Sequence, residues 1–262
     1  MNFRLPQTRT IALGMVAIPA LLVTKHALQT YLKLAQAPRR RIIEIDSIPD
    51  SLKDSVTRKT LANPRGHVSI SDSRFMDIHG IGNAQSLSDE TLLAAFVGGF
   101  FCGRVFAPER VLLGMAKLDF VNFSAIEKDS LPPPVWDSER LHGDRLPPLH
   151  TKLFGAFQVA HVELAEASPT AKTHQSSSSV DVVFGSDKTQ FAGVHRFTII
   201  READKPDSVR VYHASMACNP TVNRRFQLET IFPLHKLHKL YAMWLFQEAS
   251  VEVMRRIEAE RC

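Results

Sequence analysis

The sequence predicts an α+β fold: a curved antiparallel sheet gripping a long C-terminal helix (helix-grip-like), preceded by an N-terminal hydrophobic helix. Three observations predict it. First, Val180–Phe184, Phe191–Arg201 and Val209–Cys218 are apolar-rich runs joined by polar turns at 185–188 and 203–207. Short runs of this kind, split by turn residues, read as an antiparallel meander. Second, Leu234–Glu260 carries Leu237, Tyr241, Trp244, Phe246, Val251, Met254 and Ile257 as one broad apolar helical face. Strands followed by a long helix bury both when the sheet closes around the helix. Third, Thr10–Thr24 holds no charge, and its apolar pattern continues past Lys25 and His26 to Leu34.

That N-terminal segment also explains the charge. Residues 1–43 contain Arg4, Arg9, Lys25, Lys33, Arg39, Arg40 and Arg41, and the first acid is Glu44. Taking those seven from the 32 Lys and Arg leaves 25 against 27 Asp and Glu, so the net +5 belongs to this segment. A phosphate-binding surface needs clustered positive charge on the folded body, so nucleic acid is not an expected partner. Fifteen uncharged residues fall short of the ~20 of a straight span; a snorkelling Lys25 extends the stretch to Leu32. The preferred reading is a retained signal-anchor or in-plane helix, a membrane contact through residues 10–34. A cleaved signal ending at Ala35-Gln36-Ala37, a mitochondrial presequence and a buried first helix are the alternatives. Lys25, Lys33 and Arg39–Arg41 outweigh Arg4 and Arg9, so a spanning segment leaves the body facing the cytosol, at the endoplasmic reticulum or a similar membrane, or else at the mitochondrion. Pro38–Arg41 marks the boundary between segment 1–41 and a single α+β domain, 42–262.

Within the body, Ile42–Ile48 reads as a short strand and Ser51–Leu61 as a short helix before the turn Asn63–Gly66. His67–Ser71 alternates as a strand, with Phe75–His79 continuing or pairing with it. Ser86 or Ser88 caps a helix running through Leu92, Phe96 and Phe101, with Gly98-Gly99 allowing a close approach and Pro108 closing it. Val111–Phe123 reads as a long strand. Leu131–Leu149, rich in proline and holding Trp136, is a candidate lid or rim. Leu153–Leu164 is strand-like, and Ser168–Ser179 is a Ser/Thr-rich low-complexity linker. Cys102 and Cys218 read as small core residues.

The meander permits a register argument. Matching apolar faces sets Ile199 opposite Val209 and Phe197 opposite Val211, which places His195 opposite His213. In the preceding hairpin it pairs Phe184 with Phe191 and Val180 with His195. Two histidines side by side on an inward face can share a ligand or a proton, and they are the candidate catalytic pair. His161, on a strand face with Val159 and Glu163, is a possible third member. His161, Glu163, Asp181, Phe197, Tyr212 and Trp244 are the candidate ligand-binding residues. A histidine on an apolar face also serves as a hydrogen-bonded core residue, and both readings stand. A metal needs three converging ligands, so neither a metal nor a cofactor is expected, and no nucleophile motif or phosphate loop occurs.

Phe191–Ile200, Val209–Ala217 and the closing helix with Tyr241 and Arg255-Arg256 resemble the end of the DUF1990 (UPF0548) group, related in shape to the helix-grip START/SRPBCC proteins. The resemblance implies a hydrophobic cavity between the sheet and the long helix; members of the broad superfamily bind lipids, sterols and polyketides, and some act as cyclases or dehydratases. The expected function is a membrane-tethered domain binding an apolar small molecule (lipid, polyketide or terpenoid-like). The alternatives are an enzyme of the same fold using acid–base histidines, a cyclase, isomerase or dehydratase, and a non-catalytic assembly factor at an organelle membrane.

Overall fold

The computed structural model describes residues 22–82, 86–127, 129–141, 143–165, 175–225 and 232–261, with the backbone alone at 232–235. Residues 10–21 of the expected membrane segment and 168–174 of the expected linker lie outside the described residues. Seven antiparallel strands form one open sheet: β1 (Ile43–Ile45), β2 (Ser69–His79), β3 (Lys152–Leu153), β4 (Phe157–Glu163), β5 (Ser176–Gly185), β6 (Ala192–Arg201) and β7 (Ser208–Cys218). Their order is β1-β2-β7-β6-β5-β4-β3. The meander of the last three strands is its centre, and β2 adds to its far side in register along its whole length, from Ser69 opposite Cys218 to His79 opposite Ser208.

The helices are α1 (residues 22–34), α2 (Asp50–Lys53), α3 (Asp89–Cys102), α4 (Ala107–Ala116) and α5 (Phe232–Arg261). The C-terminal helix packs on the sheet as part of a two-helix layer: α3 covers β5 and β6, while α5 lies along α3 and touches β2. Ser88 starts α3 by accepting the amide of Thr91 at 3.1 Å, an N-cap supported by Asp89 and Glu90 in the first turn. Gly98-Gly99 is the point of close approach. A Cβ on Gly99 would stand 2.7 Å from Ala249 Cα of α5, and one on Gly98 2.9 Å from the Leu141 carbonyl oxygen. Phe96, Phe100, Phe101, Phe197 and Phe246 fill the space between helices and sheet.

The other sheet face is covered as well. Ile48, Leu52, Leu61, Ala62, Val121, Phe123 and Ile126 pack on Val183, Val194, Ala214 and Met216. Burial on both faces is why Val180–Phe184 reads as a near-continuous apolar run. Leu34 and Ala37, ahead of the boundary expected at residue 41, share the main core with Ile42.

Several expectations are corrected. Val111–Phe123 is not a strand: Ala107–Ala116 is helical, and Lys117 ends it in the left-handed region at φ 47°. Pro108 sits in the first turn of that helix, where its missing N–H has no partner to lose; α3 ends earlier, at Gly103. Ser51–Leu61 divides into α2 and a π-helical turn at Thr57–Ala62. His67–Ser71 and Phe75–His79 belong to one strand, β2, and Ser176–Ser179 of the expected linker begin β5. Leu153–Leu164 is interrupted by a turn at Phe154 (φ 52°) and Gly155 (φ 67°). The Pro-rich loop is a strap on α3, with Ser138 accepting from Cys102 Sγ and Leu141 lying over Gly98.

The register differs by two residues in both hairpins. Val182, not Val180, stands opposite His195, and Phe184 stands opposite Gly193. Ile199 stands opposite Val211, Phe197 opposite His213, and His195 opposite Ser215. In the first hairpin Phe184 sits over Gly193, its ring occupying the space a side chain there would need. Aromatic over glycine replaces the expected aromatic over aromatic pair. A slip of two preserves every face assignment, because the side-chain period is two.

Candidate functional site

On the helix-covered face, β7 places Val209, Val211 and His213 in line, and β6 places His195, Phe197 and Ile199 beside them. Diagonal neighbours on one face remain within reach of large side chains. His213 Nε2 and His195 Nδ1 share a hydrogen bond of 3.3 Å, with the donor set by the tautomer. Their rings stack at 5.3 Å and 28°. Phe100 of α3 lies over both, 5.4 Å from His195 and 5.2 Å from His213, and Phe197 lies 5.1 Å from His213. His213 is buried, whereas His195 keeps part of its surface accessible.

Burial governs their basicity. Desolvation holds His195 down to about 3, helped by the charges of His238 and Arg74, and holds His213 well below the ordinary value, helped by His195 and Arg74. Imidazoles of such low basicity are neutral hydrogen-bonding groups at neutral pH, far from the value that suits proton transfer there.

The third member of this cluster is Arg74. It stands directly opposite His213 on β2 and is 1% exposed. Its Nη2 donates to Asp72, while Nε and Nη1 have no partner. The signal was present in β2: Ile70, Met76 and Ile78 share a parity with Asp72 and Arg74, so an unbroken strand reading turns Arg74 inward. Splitting the run between Ser71 and Phe75 hides it.

The remaining expected residues lie elsewhere. His161 pairs with Asp181 and Glu163 with Ser179, after a bulge between Val159 and His161. The extra residue turns His161 away from the Val159 face, so His161, Glu163 and Asp181 occupy the face opposite the histidine pair. Asp181 is fully buried and held by Arg196 at 2.6 and 2.7 Å, a two-point ion pair. Tyr212 also faces away, donating to Ser73 Oγ at 2.8 Å. Only Phe197 joins the histidines. Among the described residues no three His, Cys, Asp or Glu side chains converge as a metal-binding set. Burial raises the Cys102 thiol to about 12 and Cys218 to about 11, so neither is a ready nucleophile.

Trp244 lines a second feature. An apolar recess of about 370 Å³ lies between α1, α5 and the turn before α4, formed by His26, Ala27, Thr30, Tyr31, Leu34, Arg104, Val105, Tyr241 and Trp244. Its α1 wall is fixed by polar contacts. Lys33 pairs with Glu248 at 3.0 Å and Glu252 at 2.5 Å, and Gln247 Nε2 donates to the Ala37 carbonyl at 2.7 Å. Glu248, fully buried, also accepts the amides of Arg104 and Val105 at 2.8 and 2.7 Å. Beside the recess, Leu22, Val23, Leu28 and Leu32 of α1 are exposed, as is Tyr31 at its wall, and so are Val111, Leu112 and Met115 of α4.

Comparison with family models, with curated proteins and with solved structures finds no match.

Proposed function

We propose that the protein is a membrane-tethered module that binds an apolar small molecule, of the lipid, polyketide or terpenoid kind, in the recess between α1 and α5. The observation that carries the reading is the recess itself: about 370 Å³ walled by Ala27, Tyr31, Leu34, Val105, Tyr241 and Trp244, a size and lining that suit a small apolar ligand. Its place differs from that implied by the helix-grip resemblance, since phenylalanine rings fill the layer between sheet and helices and the recess lies on the far side of α5. Among the described residues no single helix is long and apolar enough to cross a membrane. The exposed side chains of Leu28, Tyr31 and Leu32 share one face of α1 by their spacing, which suits a helix lying in the membrane surface. Lys25 and Arg39–Arg41 flank that face and favour the anionic cytosolic leaflet.

The test is a titration of the full chain with lysophosphatidylcholine, followed through the fluorescence of Trp244 in a Trp136→Phe background. Mass spectrometry of small molecules that co-purify with the chain identifies the natural occupant. The expected result is a saturable change that Val105→Arg removes by setting a charge in the recess. A Val105→Arg chain that responds as the parent does would show that the recess is not the binding site.

A further inference from the structure

Arg104 carries the one permanent charge among the residues that line the apolar recess between α1 and α5. The hydroxyl oxygens of Thr30 and Tyr241, also at its walls, are buried and shielded from solvent. Arg104 itself is exposed, and its Nη1 donates to Gln29 Oε1 at 2.8 Å. That bond ties the guanidinium to α1 and leaves its Nε and Nη2 edge without a protein partner among the described residues. The acids at this junction are taken: Glu248 accepts the amides of Arg104 and Val105 and pairs with Lys33, as does Glu252. A guanidinium edge offers two parallel N–H donors that match the two oxygens of a carboxylate. Arg196 and Arg210 hold Asp181 and Asp77 by these same two nitrogens, at 2.6 and 2.7 Å and at 2.7 and 3.0 Å.

We infer that the recess takes a single-chain acyl carboxylate, its chain against the apolar walls and its head on the Nε and Nη2 edge of Arg104. The inference rests on the recess being a binding site and names the class of its occupant. A volume of about 370 Å³ is at the small end of ligand sites, which admits one acyl chain and not the two of a bilayer phospholipid. A cationic head would meet Arg104 with like charge, and a neutral head would forgo the ion pair. At an exposed guanidinium the carboxylate keeps part of its hydration, so it avoids the cost of burying a charge.

The experiment titrates the full Trp136→Phe chain with dodecanoate and with dodecanol, which share a chain and differ in the head, and follows the fluorescence of Trp244. Both should give a saturable change, with dodecanoate the tighter ligand. Arg104→Gln should weaken dodecanoate about tenfold, the scale of a hydrogen bond to a charged group, and leave dodecanol as it was. The amide of Arg104, and not its side chain, holds Glu248, so this substitution spares the junction, and an unchanged dodecanol titration verifies the fold. Dodecanol binding as tightly as dodecanoate, or Arg104→Gln keeping the full affinity for dodecanoate, overturns the inference and leaves the recess standing as a site. No saturable response to either ligand overturns the recess reading and this inference with it.

Discussion

His195 and His213 show how much a single buried side chain can ask of its surroundings. Their rings sit among Phe100, Phe184 and Phe197, and the loss of water there makes the charged form costly. The consequence for stability has a definite sign. Both folded values lie below the ordinary 6.5, so the unfolded chain takes up these protons first. Above about pH 6.5 neither state is protonated at these sites and their contribution is flat. As pH falls below that value each histidine withdraws about 1.4 kcal/mol of stability per pH unit, until its folded value is reached. A His195→Gln chain, unfolded in urea at a series of pH values, should therefore lose less stability than wild type between roughly pH 6.5 and 5, by about 1–2 kcal/mol. Equal pH slopes for the two chains would mean that His195 accepts its proton while folded. The pairing of these histidines on one face was legible in the alternation of β6 and β7. Arg74 is legible only when β2 is read as one unbroken strand, and the polar residues Ser71, Asp72 and Ser73 interrupt the apolar pattern and split that reading.

At the scale of elements, periodicity located most segments and misjudged those whose apolar residues are not buried. The meander and the long C-terminal helix follow from their patterns because those patterns meet a core. In α4, Val111, Leu112 and Met115 face outward, so the β-branched and aliphatic run that suggested a strand carries no record of what it packs against. Gly98-Gly99 is the reverse case, a departure from helix propensity that marked a real contact. Gly99→Ala gains helix propensity yet sets its methyl 2.7 Å from Ala249 Cα, and α5 cannot yield locally because that contact is backbone. We expect a net loss of about 1–3 kcal/mol in chemical denaturation, the range for overpacking. Gly114 in α4 has open space around its missing Cβ, so Gly114→Ala should raise stability by about 0.5–1 kcal/mol. A Gly99→Ala chain as stable as Gly114→Ala would contradict the tight α3–α5 approach.

On the scale of the whole molecule, α1 is both a wall of the recess and the bearer of an exposed apolar face. Lys33 joins it to the body through two ion pairs, beside the buried Leu34 and the Gln247 bond to the Ala37 carbonyl. The sequence marked Lys33 as one of the charges flanking a membrane segment; its acidic partners lie more than two hundred residues away, a separation no local pattern reports. Removing it tests whether the two roles of α1 can be separated. In Lys33→Met, Glu248 keeps the amides of Arg104 and Val105 at 2.8 and 2.7 Å, so the fold should persist with a loss of about 3–5 kcal/mol for the buried carboxylate left without its cation. Helix α1, deprived of its ion pairs with Glu248 and Glu252, should then exchange its amide hydrogens faster than α3 or α5. Flotation with phosphatidylserine-containing vesicles should persist, because Leu28, Tyr31 and Leu32 are unchanged, while the Trp244 response to lysophosphatidylcholine weakens as one wall of the recess loosens. If flotation and the fluorescence response were lost together, membrane contact would depend on the docked body, and α1 would not act as a tether in its own right.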